Sequence, residues 1–223
     1  ENNDLKNDIY NLFGQVAVTP DFNLQAEYRR RETTNGDLKS SFNGIFSTKQ
    51  RRNIDQDMIR IGANYALSPQ TNLIASSVYT DRSNTLSGPG IVLATRSKFY
   101  QEEAQLLHKT DNLNFIAGLG TISSDDISSG SEQSPTISNA QNIGYGYANI
   151  KLPENVVWTI GFSDQLIEDA SAHLHEFNPK LGVEWAMTPQ ISLRAAAFQV
   201  IANINNNISQ TIEPTQVAGF NQL

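Results

Sequence analysis

The chain has 223 residues, 39% of them hydrophobic, no cysteine and a formal net charge of -7. The length suits one all-β domain, the acidic balance argues against a general nucleic-acid binder, and the lack of cysteine excludes disulfide frameworks, thiolate metal sites and thiol nucleophiles. No apolar run approaches the ~18 residues of a membrane helix, but a membrane barrel needs only alternate strand residues to be apolar and is not excluded.

From the N-terminus, period-two alternation predicts strands near 9–18 and 22–31 around the turn "AVTPDFNL", clearest in Phe22, Leu24, Ala26 and Tyr28 against Asn23, Gln25, Glu27 and Arg29. Strands near 57–67 and 72–81 flank "ALSPQTNL", those near 98–109 and 113–123 flank "HKTDNLNF", and those near 141–151 and 156–168 flank "IKLPENVVW". The last pair, near 177–187 and 191–200, flanks "AMTPQISL", which repeats the second turn almost position for position. Turn centres at Pro20, Pro69, Asp111, Pro153 and Pro189 lie about 49, 42, 42 and 36 residues apart, so the chain is a series of β-hairpin repeats. Proline fits the first central turn position, where its fixed φ suits and its missing N–H harms no ladder. The intervening stretches 32–56, 82–97, 124–140 and 201–212 are long and polar and read as loops. Strands of about 10 residues match what a tilted strand needs to cross a bilayer, and alternating tight turns and long loops match an outer-membrane barrel.

Alternation alone leaves open which face meets water. Gln25, Glu27, Arg29, Arg60, Asn64, Gln101, Glu103, Gln105, Lys180 and Glu184 fall on the polar face and are expected to line a wet lumen. Tyr28, Tyr65, Trp158 and Trp185 fall on the apolar face near strand ends, the placement of a membrane-interface girdle. A soluble sandwich with the apolar face buried is the competing reading. A membrane sheet must close, since each unpaired N–H or C=O in hydrocarbon costs several kcal/mol.

The stretch "FNPKLGVEWAMTPQISLRAAAFQV" followed by "TIEPTQVAGFNQ" resembles the late barrel strands of TonB-dependent-receptor-like outer-membrane proteins. Pro179, Lys180, Gly182, Thr188, Pro189, Leu193, Ala195, Ala196, Phe198, Glu213, Pro214 and Gly219 carry the likeness. "NLQAEYRRRETTNGDL" and "LPENVVWTIGFSDQ" are similar to a subgroup in which the barrel ends a larger protein with tetratricopeptide-type repeats. The resemblance implies an all-β, antiparallel up-and-down transmembrane barrel in a bacterial outer membrane. The whole of 1–223 is then one barrel region of ten or eleven strands, incomplete at both ends. Its expected contacts are membrane lipid and lipopolysaccharide, a small solute, and a periplasmic partner reached through upstream parts, with no nucleic acid and no cofactor. The plug domain and energy-coupling box of those receptors are absent from the sequence, so TonB-driven uptake does not follow from it.

Other chemistry is thinly signposted. His173 and His175 would share one face on a strand, but no third metal ligand is specified and they read as solvated loop histidines; Asp125, Asp126 and Glu132 sit in a Ser/Gly-rich loop without cage spacing and read as solvated too. Of the basic run, alternation turns Arg30 outward, where it could meet lipopolysaccharide phosphates, and Arg29 and Arg31 toward the lumen, where they could steer anions or pair with Glu27; structural pairing or a solvated strand end is the favoured reading of all three. Asp81, Asp125, Asp169, His173 and His175 are the types a barrel enzyme carries on its loops, but no constellation unites them and no enzyme is expected. A pore, transporter or receptor-like passage is the favoured function. The alternatives are a soluble carbohydrate-binding module or, third, a barrel enzyme.

Overall fold

A computed structural model describes residues 4–36, 49–129, 136–168, 173–200 and 216–221. Ten antiparallel strands follow one another in chain order: β1 (Leu5–Thr19), β2 (Phe22–Gly36), β3 (Arg51–Ser68), β4 (Thr71–Gly88), β5 (Ile91–Lys109), β6 (Leu113–Ser129), β7 (Ile137–Lys151), β8 (Val156–Glu168), β9 (His173–Thr188) and β10 (Ile191–Phe198). The sheet is a pure meander whose edges are β1 and β10. No helix among the described residues is long and apolar enough to cross a membrane, which says nothing of crossing by strands.

The tight turns fall where the sequence puts them, and their chemistry is local. Ser68 Oγ accepts a hydrogen bond from the Gln70 amide at 3.3 Å, and Thr188 Oγ1 accepts from the amides of Gln190 and Ile191 at 3.3 and 3.1 Å. A hydroxyl before proline thus satisfies the N–H groups that the ladder cannot reach. A register shift accompanies the Pro20, Pro69 and Pro189 turns alike, between Ala17 and Thr19, Ala66 and Ser68, and Ile191 and Ser192.

At the opposite end the strands outrun the prediction. The stretch 82–97 is not a loop: β4 and β5 stay paired up to Gly88 and Ile91 and turn on Pro89 and Gly90, whose φ of 74° favours glycine. Likewise β2 runs to Gly36, β3 starts at Arg51, β6 runs to Ser129 and β7 starts at Ile137. These extensions carry polar residues on both faces, Asn84 opposite Thr95 on one and Ser83 opposite Arg96 on the other, so the apolar period that marks a strand is broken although pairing continues. The predicted loop 201–212 lies outside the described residues. Residues 216–221, in the last stretch that carries the family likeness, form a two-stranded hairpin, β11 (Gln216–Val217) and β12 (Phe220–Asn221), turning on Ala218 and Gly219 at φ of 48° and 83°.

Paired positions are staggered. The row that begins at Phe22, two residues past Pro20, passes through Tyr65, Leu73, Leu106, Ala117, Gly146 and Phe162 to Pro179, ten residues short of Pro189. Each step across the sheet therefore shifts the strands by about one residue, the sheared arrangement of tilted barrel strands.

Burial separates the two faces. Met58, Val78, Ile122, Ile143, Tyr145 and Tyr147 are buried, and all belong to the face that carries Gln25 and Glu103. Val217 is fully buried on this same face, where a side chain at Gly182 would collide with Val217 and Ala218. On the other face Ile61 is 56% exposed and Leu193 53%. Each such side chain left in water forgoes roughly 1.5–3 kcal/mol, which a sheet bearing a whole face of them recovers in hydrocarbon. The soluble alternative needed Ile61 and Leu193 in a dry interior, and they are not.

Candidate functional site: the polar wall

Strand register places Gln25, Glu27, Arg29, Arg60, Asn64, Gln101, Glu103, Gln105 and Glu184 on one face. Tyr28, Tyr65, Trp158 and Trp185 lie on the other, between 39% and 45% exposed.

The polar residues form linked clusters. Glu27 is flanked by Arg29 at 2.8 Å and Arg60 at 3.5 Å, so a carboxylate with only 10% of its side chain exposed has two guanidiniums against it. On β5 and β7, Tyr145 Oη donates to Glu103 at 2.5 Å and accepts from Gln105 Nε2 at 2.6 Å. Its ring lies over Gly118, where a side chain would collide with it, and Tyr147 lies in the same way over Gly161. Lys180 Nζ, buried, donates to Tyr147 Oη at 2.8 Å and Ser163 Oγ at 3.2 Å. Gln141 donates to Gln165 at 3.0 Å, and Arg194 to Glu184 at 2.8 Å. Gln101 is buried too, and its Oε1 has no partner among the described residues.

Charge is sorted between the faces. On β2, β3 and β4 the polar face carries Arg29, Arg31, Arg52, Arg60 and Arg82 against a single acid, Glu27. The other acids of these strands, Glu32, Asp55, Asp57 and Asp81, point to the apolar side, beyond its hydrophobic band. A chain of net negative charge thus presents a cationic polar face over β2 to β4. Arg52 and Arg82 were hidden in presumed loops, and Tyr145 and Tyr147 in a Gly-Tyr-Gly-Tyr run with no nucleotide-site geometry.

The remaining candidates disperse. Arg30 does point to the apolar side, but Glu32 takes it at 2.7 Å and Asp57 at 3.4 Å, so its charge is met within the chain. His173 and His175 are strand residues rather than loop residues; each faces its own acid, Glu168 at 3.9 Å and Asp164 at 2.9 Å. Asp125 and Asp126 alternate on β6 and point to opposite faces. Asp81 is engaged by Arg96 at 2.6 Å. Glu132 and Asp169 lie outside the described residues, and among those described no three His, Asp or Glu groups could share a metal. At the rim, a hydrogen bond from Arg51 holds the Asp4 carboxyl below the usual carboxylate range.

Comparison with known proteins fits this geometry. A family model described as TonB dependent receptor-like, beta-barrel, matches residues 1–222. No curated protein matches the sequence. Among solved structures, the fold is similar to the alcaligin outer-membrane receptor FauA from Bordetella pertussis (TM-score 0.63, 12% identity, covering 83% of this chain and 34% of that one). It is also similar to FpvA of Pseudomonas aeruginosa bound to heterologous pyoverdines (0.71, 10%, 86% and 35%) and to the ferric citrate transporter FecA (0.60, 14%, 88% and 36%). The chain spans about a third of the length of these receptors, which agrees with an unclosed ten-stranded sheet. Its neighbours are receptors and transporters rather than enzymes. The chain belongs to the TonB-dependent receptor-like β-barrel family and is part of a bacterial outer-membrane barrel.

Proposed function

We propose that the full-length protein recognises and passes an anionic solute, of the ferric-chelate class named for its structural neighbours, along the polar wall of this sheet. The observation that carries the reading is the concentration of Arg29, Arg31, Arg52, Arg60 and Arg82 on β2 to β4 of that wall, where Glu27 is the one carboxylate. Guanidiniums lining a water-filled passage with low-dielectric walls focus the field and raise the local concentration of anions. Polar side chains at Gln25, Asn64, Gln101, Glu103, Gln105 and Glu184 give a solute a succession of hydrogen-bonding partners, and Tyr28, Tyr65, Trp158 and Trp185 anchor the barrel at the membrane interfaces. Energy for uptake comes from a periplasmic partner engaged by parts of the protein outside this chain.

Binding by the purified full-length protein, followed by tryptophan fluorescence, tests the reading with ferric citrate against a cationic ferric hydroxamate. Ferric citrate is expected to bind, to weaken as salt rises, and to bind about ten-fold more weakly to the Arg31→Ala, Arg82→Ala double variant. Preference for the cationic chelate, or affinity indifferent to both arginines, overturns it.

A further inference from the structure

The apolar face has a depression of about 550 Å³ across β3 to β6. Its lining comes from two adjacent rows of outward side chains together with the backbone between them, which places it on the membrane side of the sheet. Ala63, Ala75 and Ala104 form the floor, and Ile61 and Leu119, 56% and 70% exposed, stand at the two ends. Into this apolar hollow projects one carboxylate, Glu102, which is exposed and is flanked in its own row by Ser77 and Thr121.

The depth of Glu102 is fixed by its neighbours. Tyr100 and Tyr79, whose rings are 4.9 Å apart, lie one pleat nearer the long-connection end; beyond them come Asp81 with Arg96, and Lys98. Toward the tight turns follow Ala104, Leu106 and, at the strand end against Thr71, His108 on the same strand face. Short turns of outer-membrane barrels are periplasmic, so Glu102 sits in the outer leaflet, about 7 Å along the strand below Tyr100. A carboxylate facing hydrocarbon there costs several kcal/mol unless a donor meets it, and among the described residues no side chain, Ser77 and Thr121 beside it included, donates to Glu102.

Shape narrows the donor. The two rows are about 7 Å apart along the strand, less than the 10–12 Å of an α-helix with its side chains, so a helix would ride on Ile61 and Leu119 without reaching the floor. An extended hydrocarbon chain fits. We propose that the depression holds an acyl chain of an outer-leaflet lipid that bears a hydroxyl just inside the interface, as the hydroxyacyl chains of lipid A do. The hydroxyl donates to Glu102, Ser77 and Thr121 complete the polar spot, and the alanines make room for the methylenes. This rests on the outer-membrane placement of the chain and is independent of what the lumen carries.

Native mass spectrometry of the full-length protein in detergent tests it, with hydroxyacyl lipid A compared against a synthetic lipid A of the same phosphates and chain lengths lacking the hydroxyls. The unmodified protein is expected to retain the hydroxylated lipid about ten-fold better. Glu102→Leu and Ala104→Trp should each erase that preference while keeping heat-modifiable gel mobility, whereas Lys98→Ala should weaken both lipids alike through their phosphates. Equal retention of the two lipids by the unmodified protein, a preference that survives Glu102→Leu, or disulfide formation between copies at Ala75→Cys overturns the proposal.

Discussion

Tyr145 and Tyr147 owe their positions to residues without side chains. Register sets Tyr145 opposite Gly118 and Tyr147 opposite Gly161, and each ring occupies the space that a side chain on its partner would fill. This is the cross-strand cover of glycine by an aromatic ring, and here it also aims the Tyr145 hydroxyl at Glu103 and Gln105. Gly118→Val is therefore expected to lift the ring off the sheet and destabilise the full-length protein by about 1–3 kcal/mol, measured as a lower urea midpoint in lipid vesicles. Tyr145→Phe, which keeps the ring but strips Glu103 of its donor, should cost a similar ~1–3 kcal/mol. An unchanged midpoint for both would show that the pairing contributes nothing. Such a contact was illegible in the sequence because the glycine and its tyrosine are 27 positions apart, and only register, which depends on every intervening residue, brings them together.

Among the elements, the tight-turn ends were legible and the opposite ends were not. Serine or threonine, proline and glutamine in succession specify a turn by local hydrogen bonds, so Ser68 and Thr188 end their strands where predicted. At the other end β4 and β5 continue into water, where polar residues enter both faces and composition resembles that of a loop; cross-strand pairs such as Asp81 with Arg96 interrupt the apolar alternation. The resulting hairpin should project from the cell. A membrane-impermeant maleimide is expected to label Ser87→Cys in the full-length protein on intact cells, and to label Gln70→Cys, in a tight turn, only after permeabilisation. The reverse pattern would invert the orientation of the sheet and move Glu102 to the inner leaflet.

For the molecule as a whole, the division into a polar and an apolar face was readable because alternation is a property of each strand alone. The sorting of charge was not, since Arg52 and Arg82 acquire a face only once β3 and β4 are known to extend through them. Substitutions on the two faces should differ accordingly. Ile160→Arg, at a position 51% exposed on the apolar face, is expected to cost roughly 2–4 kcal/mol in vesicle-refolded protein. Asn64→Arg, on the polar face, should stay within about 0.5 kcal/mol. A larger cost for Asn64→Arg would mean that the polar face is the one that meets lipid.

The stagger that carries the Phe22 row to Pro179 gives the polar face a handed thread. Positions level with one another above the periplasm are not hydrogen-bonded neighbours; each is displaced by about a residue from strand to strand. A particle descending beside the arginines of β2 to β4 would be handed from strand to strand around the axis as well as downward, in the manner of a corkscrew.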